Sequence, residues 1–160
     1  ESDKEREEHA VVVAMLREAL SPLATELSIA PAPEVVALRH VQHLVTPVSG
    51  RLRDDADVLS LVERLHPTPA VGGTPRRLAL ELIAEEEHHE RGWYSGPLGW
   101  LDRDGDGEFV VALRSGVIAG DEATLFAGCG IVADSDPERE WEESSTKLLA
   151  LGSALGRIEP

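Results

Sequence analysis

Three apolar runs lie close together in the second half of the chain, and the connections between them leave little choice of topology. Gly96–Asp102, Glu108–Gly120 and Glu122–Val132 are rich in Val, Ile, Leu and aromatic residues and read as strands. Only the turns RDGDG and AGDE separate them. A parallel crossover needs about a dozen residues, so strands joined this tightly pair antiparallel.

Helical patterns flank these strands. From Lys4 to about Leu27 the apolar residues Val12, Met15, Leu16, Ala19 and Leu20 recur at three- and four-residue steps, and Pro31 and Pro33 end the pattern. Val35–Leu52 is β-branched, broken at Pro47 and Gly50, and reads as one or two strands. Asp55-Ala56-Asp57 starts a short helix through Leu65, HPTPAVGGTP is an ordered loop, and Pro75 opens a helix to about Glu87. A last helix follows Ser135 or Asp136 as its cap, with Pro137 in first position and Gly156 near its end. The expected fold class is α+β, an antiparallel sheet flanked by helices.

Charge narrows the partners. With 30 acidic against 15 basic residues the formal net charge is −15, which opposes nucleic-acid binding and adsorption to anionic membranes. An anionic substrate then requires a local reversal of sign, by a metal or by convergent Lys and Arg. The single Cys129 excludes an internal disulfide framework and fits a reducing, cytoplasmic setting. No run reaches the roughly 18 apolar residues of a membrane span, and no signal peptide is visible. The chain opens with ESDKEREEH, as though inside a helix, and is expected to be a piece of a longer protein.

Two metal motifs fail on inspection. DRDGDGE, from Asp102 to Glu108, opens like a calcium loop, but its twelfth position is Leu113 and its flanks are strands, so a hairpin turn is the better account. His88 and His89 in EEEHHE are adjacent, and adjacent helical positions diverge by about 100°, so they read as a solvated helix end.

The block Ala127–Lys147 is richer. Glu140, Glu143 and Lys147 share one helical face at i, i+3 and i+7, and Gly128 and Gly130 leave the preceding backbone bare for a ligand. Glu5 and Glu8 form a second i,i+3 carboxylate pair. Two such pairs could hold Mg²⁺, which takes a few carboxylates plus water and substrate oxygens. Two solvated acidic faces would look the same. His43 and His66 stand alone in strand or loop. Arg114 interrupts an apolar strand, where a guanidinium needs a salt-bridge partner or an anionic ligand.

The motifs LHPTPAVGGTP, ERGWYSGPLGW, GDGEFVVALRS, LFAGCGIVADSDP and EWEESSTK, with EREEH and QHLVTPVSG before them, together resemble the carboxy-terminal part of the chorismate-utilising enzymes. Within that family they are most similar to the isochorismate synthases. The likeness covers nearly the whole chain. It implies that residues 1–160 are the carboxy-terminal part of a single chorismate-binding domain, a two-layer fold. It also implies that Glu8 and Glu143 bind Mg²⁺, with Glu5 and Glu140 supporting the hydrated metal. Lys147 and Arg114 match the cations that hold substrate carboxylates, Gly128 offers backbone N–H groups, and His43 matches an active-site histidine near the reacting ring. Ala70 stands where relatives that eliminate pyruvate or transfer ammonia carry Thr.

The implied reaction is hydroxyl transposition from chorismate to isochorismate, for siderophore or menaquinone biosynthesis. The resemblance places the general base and acid, a Lys and a Glu, in an amino-terminal half outside this chain. The 160 residues alone are therefore expected to be inactive and to expose an apolar face to that half. Ser144, where Thr is usual, and Cys129, where Ala is common, depart from the pattern. Two other readings stay open: a salicylate- or anthranilate-type synthase, and a non-catalytic acidic interaction module.

Overall fold

The computed structural model describes residues 3–37, 42–54 and 56–156. The chain divides into two units, residues 1–80 with 99–108 and residues 81–98 with 109–160.

In the first unit α1 (Asp3–Leu20) packs against α2 (Val58–Leu65) and α3 (Pro69–Gly72). α1 stops well before the expected Leu27. Ser21 N still donates to Arg17 O at 3.1 Å, but Pro22 has no N–H with which to continue the ladder. The chain then runs extended: Thr25 N donates to Arg51 O and Arg53 N to Leu23 O, around an Ala24–Leu52 bridge. β1 (Ser28–Ile29) pairs antiparallel with β4 (Val48–Ser49), and β2 (Glu34–Ala37) with β3 (Gln42–Val45), setting Val36 opposite His43. Residues 38–41, within the expected strand region, lie outside the described residues. His9 Nε2 meets Thr46 Oγ1 at 2.7 Å, which ties α1 to the QHLVTP segment.

Asp57 caps α2 as expected, its Oδ1 accepting from Ser60 N at 2.7 Å, whereas Asp55 lies outside the described residues. The HPTPAVGGTP loop contains the single turn α3, where a Cβ on Gly72 would sit 2.8 Å from Pro67 Cγ. α4 (Arg76–Glu86) follows Pro75 and crosses into the second unit.

β5 (Pro97–Leu101) and β6 (Gly107–Val111) form the hairpin read from DRDGDGE. Asp102 Oδ1 accepts from Asp104 N and Asp106 N at 2.9 and 3.0 Å, which closes the turn. The run Glu108–Gly120 is not one strand. It breaks at Arg114, whose φ of +47° lies in the left-handed region, and resumes as β7 (Ser115–Ala119). β7 pairs antiparallel with β8 (Glu122–Phe126), and α5 (Pro137–Ala154) packs on β8. Among the described residues the antiparallel expectation holds, as separate two-stranded ladders.

Little is covered. Among the described residues only Ala24, Gly72, Ser95 and Gly152 are buried. In the second unit Trp93, Trp141 and Ile131 are 88%, 74% and 72% exposed. The total accessible surface is 12094 Å². A compact monomer of this size exposes about 7,800 Å², and two separate compact halves about 9,400 Å² together. Large apolar side chains of both units contribute to the excess, among them Leu78 and Leu82, 53% and 58% exposed, and Ile118, 69% exposed. No described helix is long and apolar enough to cross a membrane.

A 160-residue polypeptide with this surface is expected to bind an apolar reporter dye strongly and to melt without a sharp calorimetric peak. Weak dye binding with an unfolding enthalpy near about 110 kcal/mol, the value for 160 well-packed residues, would contradict the described surface.

Candidate metal and carboxylate-binding site

The register of α5 is set by local chemistry. Ser135 Oγ accepts from Val132 N at 3.1 Å, turning the chain. Asp136 Oδ1 accepts from Arg139 N at 3.0 Å, and Pro137 occupies the first helical position, where a missing N–H costs nothing. Started there, the helix puts Glu140, Glu143 and Lys147 on one face.

Lys147 Nζ donates to Glu143 Oε1 at 2.6 Å and to Gly128 O at 3.0 Å. One ammonium therefore joins the acidic stripe to the turn that follows β8. Its side chain is 24% exposed against 52% for Glu143, so the cation is the more covered partner. Cys129 Sγ donates to Glu140 O at 3.1 Å. One ligand atom from each of Cys129, Glu140 and Glu143 lies within 4.8 Å of the others.

The donor chemistry fits Mg²⁺ at the two carboxylates and not at the thiol. Magnesium takes hard oxygens and leaves soft sulfur to other metals. Burial pushes the Cys129 thiol up, Lys147 opposes, and the Glu143 and Glu140 carboxylates add to the rise. The thiol stays protonated at neutral pH and serves as a hydrogen-bond donor.

A second group of side chains surrounds Gly128. A Cβ there would lie 2.9 Å from Tyr94 Oη, so glycine is what allows the phenol to approach. The Tyr94 ring stacks on Phe126, the last residue of β8, with centroids 5.6 Å apart, and His89 tilts against Phe126 at 6.2 Å. Just past α4, Glu87 takes the Arg91 guanidinium on both oxygens, Nε to Oε2 at 2.7 Å and Nη2 to Oε1. The same guanidinium lies 6.0 Å from the Tyr94 ring centroid, and its Nη1 donates to Ser95 Oγ at 3.2 Å. The hydrogen bond from Arg91 draws the Glu87 carboxyl down, and burial pushes the Tyr94 phenol up.

The structure thus brings together four of the expected residues, Gly128, Glu140, Glu143 and Lys147. Glu8, part-buried on α1, exposed His43 on β3 and exposed Ala70 on α3 belong to the first unit. The Glu5 side chain lies outside the described residues. Arg114 corrects the expectation of a strand residue in need of a partner: it is an exposed residue at the turn between β6 and β7. His88 and His89 follow the end of α4 and are exposed, as read.

Sequence reasoning missed Glu87, Arg91 and Tyr94. The i,i+4 spacing of Glu87 and Arg91 was available, but only the tertiary contact with Gly128 marks Tyr94.

Known proteins share this arrangement of motifs. The sequence model of the family described as chorismate binding enzyme matches residues 1–156. The chain is 49% identical over 158 residues to the salicylate biosynthesis isochorismate synthase of Pseudomonas aeruginosa, covering 99% of this chain and 33% of that protein. The menaquinone-specific isochorismate synthase MenF of Escherichia coli superposes with a TM-score of 0.84 at 41% identity, over 94% of this chain and 34% of that one. Anthranilate synthase component I of Streptococcus pneumoniae superposes at 0.87 and 30% identity, over 94% and 35%. The chain therefore spans about a third of the length of these relatives. The match runs from α1 through α5 and includes every motif that builds the Gly128–Lys147 cluster: this chain belongs to the chorismate binding enzymes.

Proposed function

We propose that these residues supply the metal and substrate-carboxylate part of an isochorismate synthase. The observation that carries the reading is Lys147, placed between the Gly128 carbonyl and Glu143 beside a pair of hard carboxylates. It puts a cation and metal-ligating oxygens side by side in a chain of net charge −15, which is what a dicarboxylate substrate requires.

The roles follow the family motifs. Glu8 and Glu143 are the Mg²⁺ ligands that the motifs imply, with Glu5 and Glu140 in support. Bound there, Mg²⁺ would offset the negative charge of the ring carboxylate and hold it in register. Lys147 and Arg114 receive substrate carboxylates, the Gly128 backbone lies against the ligand, and His43 stands near the reacting ring. Water adds at C2 of chorismate as the C4 hydroxyl leaves, so one water enters and one departs. The base that activates the first and the acid that protonates the second are a Lys and a Glu of the longer polypeptide. That same polypeptide is the partner for the apolar surface of residues 1–160. The isochorismate feeds siderophore or menaquinone biosynthesis; among the relatives, the printed names give salicylate biosynthesis for one and menaquinone for another.

The fold does not separate this reaction from pyruvate-releasing synthases, since an anthranilate synthase superposes as well as MenF. Ala70 favours the isochorismate synthase reading, and so does the higher identity to those enzymes.

Two measurements on the complete polypeptide test this. Isothermal titration should show chorismate binding that strengthens with Mg²⁺, and Glu143→Gln or Glu8→Gln should weaken the Mg²⁺-dependent part by about 100-fold. Equal binding with and without Mg²⁺, untouched by either change, would favour a non-catalytic module. A lactate-dehydrogenase-coupled assay should detect no pyruvate while chorismate is consumed; stoichiometric pyruvate would move the protein to the salicylate or anthranilate branch.

A further inference from the structure

We propose that Glu87 and Arg91 are positioning residues, which hold the Tyr94 ring so that its hydroxyl rests against the Gly128 backbone. The inference deepens the reading above, because it concerns the turn assigned there to the substrate.

Tyr94 has three supports. One ring face stacks on Phe126, and the Arg91 guanidinium lies 6.0 Å from the ring centroid. The main chain is fixed at Ser95, which is 9% exposed, has φ +61° and donates its N–H to Ala112 O at 2.9 Å. Stacking alone lets a ring slide in its own plane. A guanidinium gripped along one edge by both oxygens of a carboxylate and anchored to Ser95 Oγ through Nη1 removes that freedom, because the fork is planar and its direction is set by two parallel bonds.

The consequence falls on Gly128. Its carbonyl is held by Lys147 Nζ at 3.0 Å, and Tyr94 Oη occupies the space where any other residue would carry a Cβ. The turn is therefore fastened from one side by α5 and buttressed from the other by the phenol. Both Lys147 and Arg91 act electrostatically on that phenol, so the ring lies within reach of two cations. In this scheme Glu87 and Arg91 act through Tyr94.

The test uses the complete polypeptide with Glu87→Gln, Arg91→Lys, Arg91→Gln and Tyr94→Phe. Glu87→Gln and Arg91→Lys should each raise the chorismate KM about tenfold with kcat within about threefold, the signature of lost positioning in binding. The Lys variant should not rescue, since it keeps the charge and loses the fork. In a Tyr94→Phe background Glu87→Gln should add nothing; an equal further loss there, or an unchanged KM in the single variants, overturns the proposal.

A readout independent of activity is the alkaline absorbance titration, wild type minus Tyr94→Phe, which isolates this phenol. Arg91→Gln should shift its titration upward, because the guanidinium counteracts the effect of burial. No shift would overturn the proposal. A clear shift in a protein that does not bind chorismate would leave the clamp standing and remove the assigned function.

Discussion

Lys147 is the fastening on which the arrangement of the second unit turns. Its ammonium bonds one turn back along its own helix, to Glu143, and across to Gly128 O, nineteen residues earlier in sequence. Beside it, the Cys129 thiol also joins the glycine turn after β8 to α5, as a weak donor to Glu140 O. The same ammonium answers the carboxylate of Glu143 in a strongly acidic chain, beside which Glu140 lies. A divalent cation arriving at those carboxylates would continue this balance.

The turn at Gly128 depends equally on what glycine lacks. Lys147 fixes its carbonyl and Tyr94 fills the space beside its Cα, so the segment is defined from both sides by groups remote in sequence. This is how a loop acquires the precision of a strand end. Catalytic and binding groups must be held to within about 0.5 Å, and residues that lock one another's rotamers achieve that better than any single contact.

What could be read from sequence followed the range of the physics. α5 was legible because its cap, its first-turn proline and its i,i+3,i+7 stripe are all local signals, and Glu140, Glu143 and Lys147 came with it. The Asp57 cap and the DRDGDG hairpin were legible for the same reason. The end of α1 was misplaced because Pro22 and Pro31 both signal a stop, and the nearer one wins. The break at Arg114 carried no signal, since a positive φ at arginine is unusual and is imposed by the two hairpins it joins. The Tyr94–Gly128 contact was illegible in principle, as it exists only once β8 and the ERGWYS segment have met.

The exposed surface connects fold to function. A two-stranded hairpin is marginal in water, and β5 is exposed at every position while β7 is exposed at four of its five. Pairing along each ladder satisfies backbone hydrogen bonds but buries almost no side chain, so the ladders gain little from the hydrophobic effect that ordinarily stabilises a sheet. The Gly128–Lys147 cluster hangs from β8, the partner of β7, and inherits whatever freedom that hairpin has. Covering the apolar side chains would therefore act on the site at a distance, by stiffening the strand that carries it. The relatives contain about three times as much chain, and the two contributions required of the remainder coincide. Under the proposed function, the polypeptide that would bring the acid and base would also bring the surface that stiffens the Gly128–Lys147 cluster.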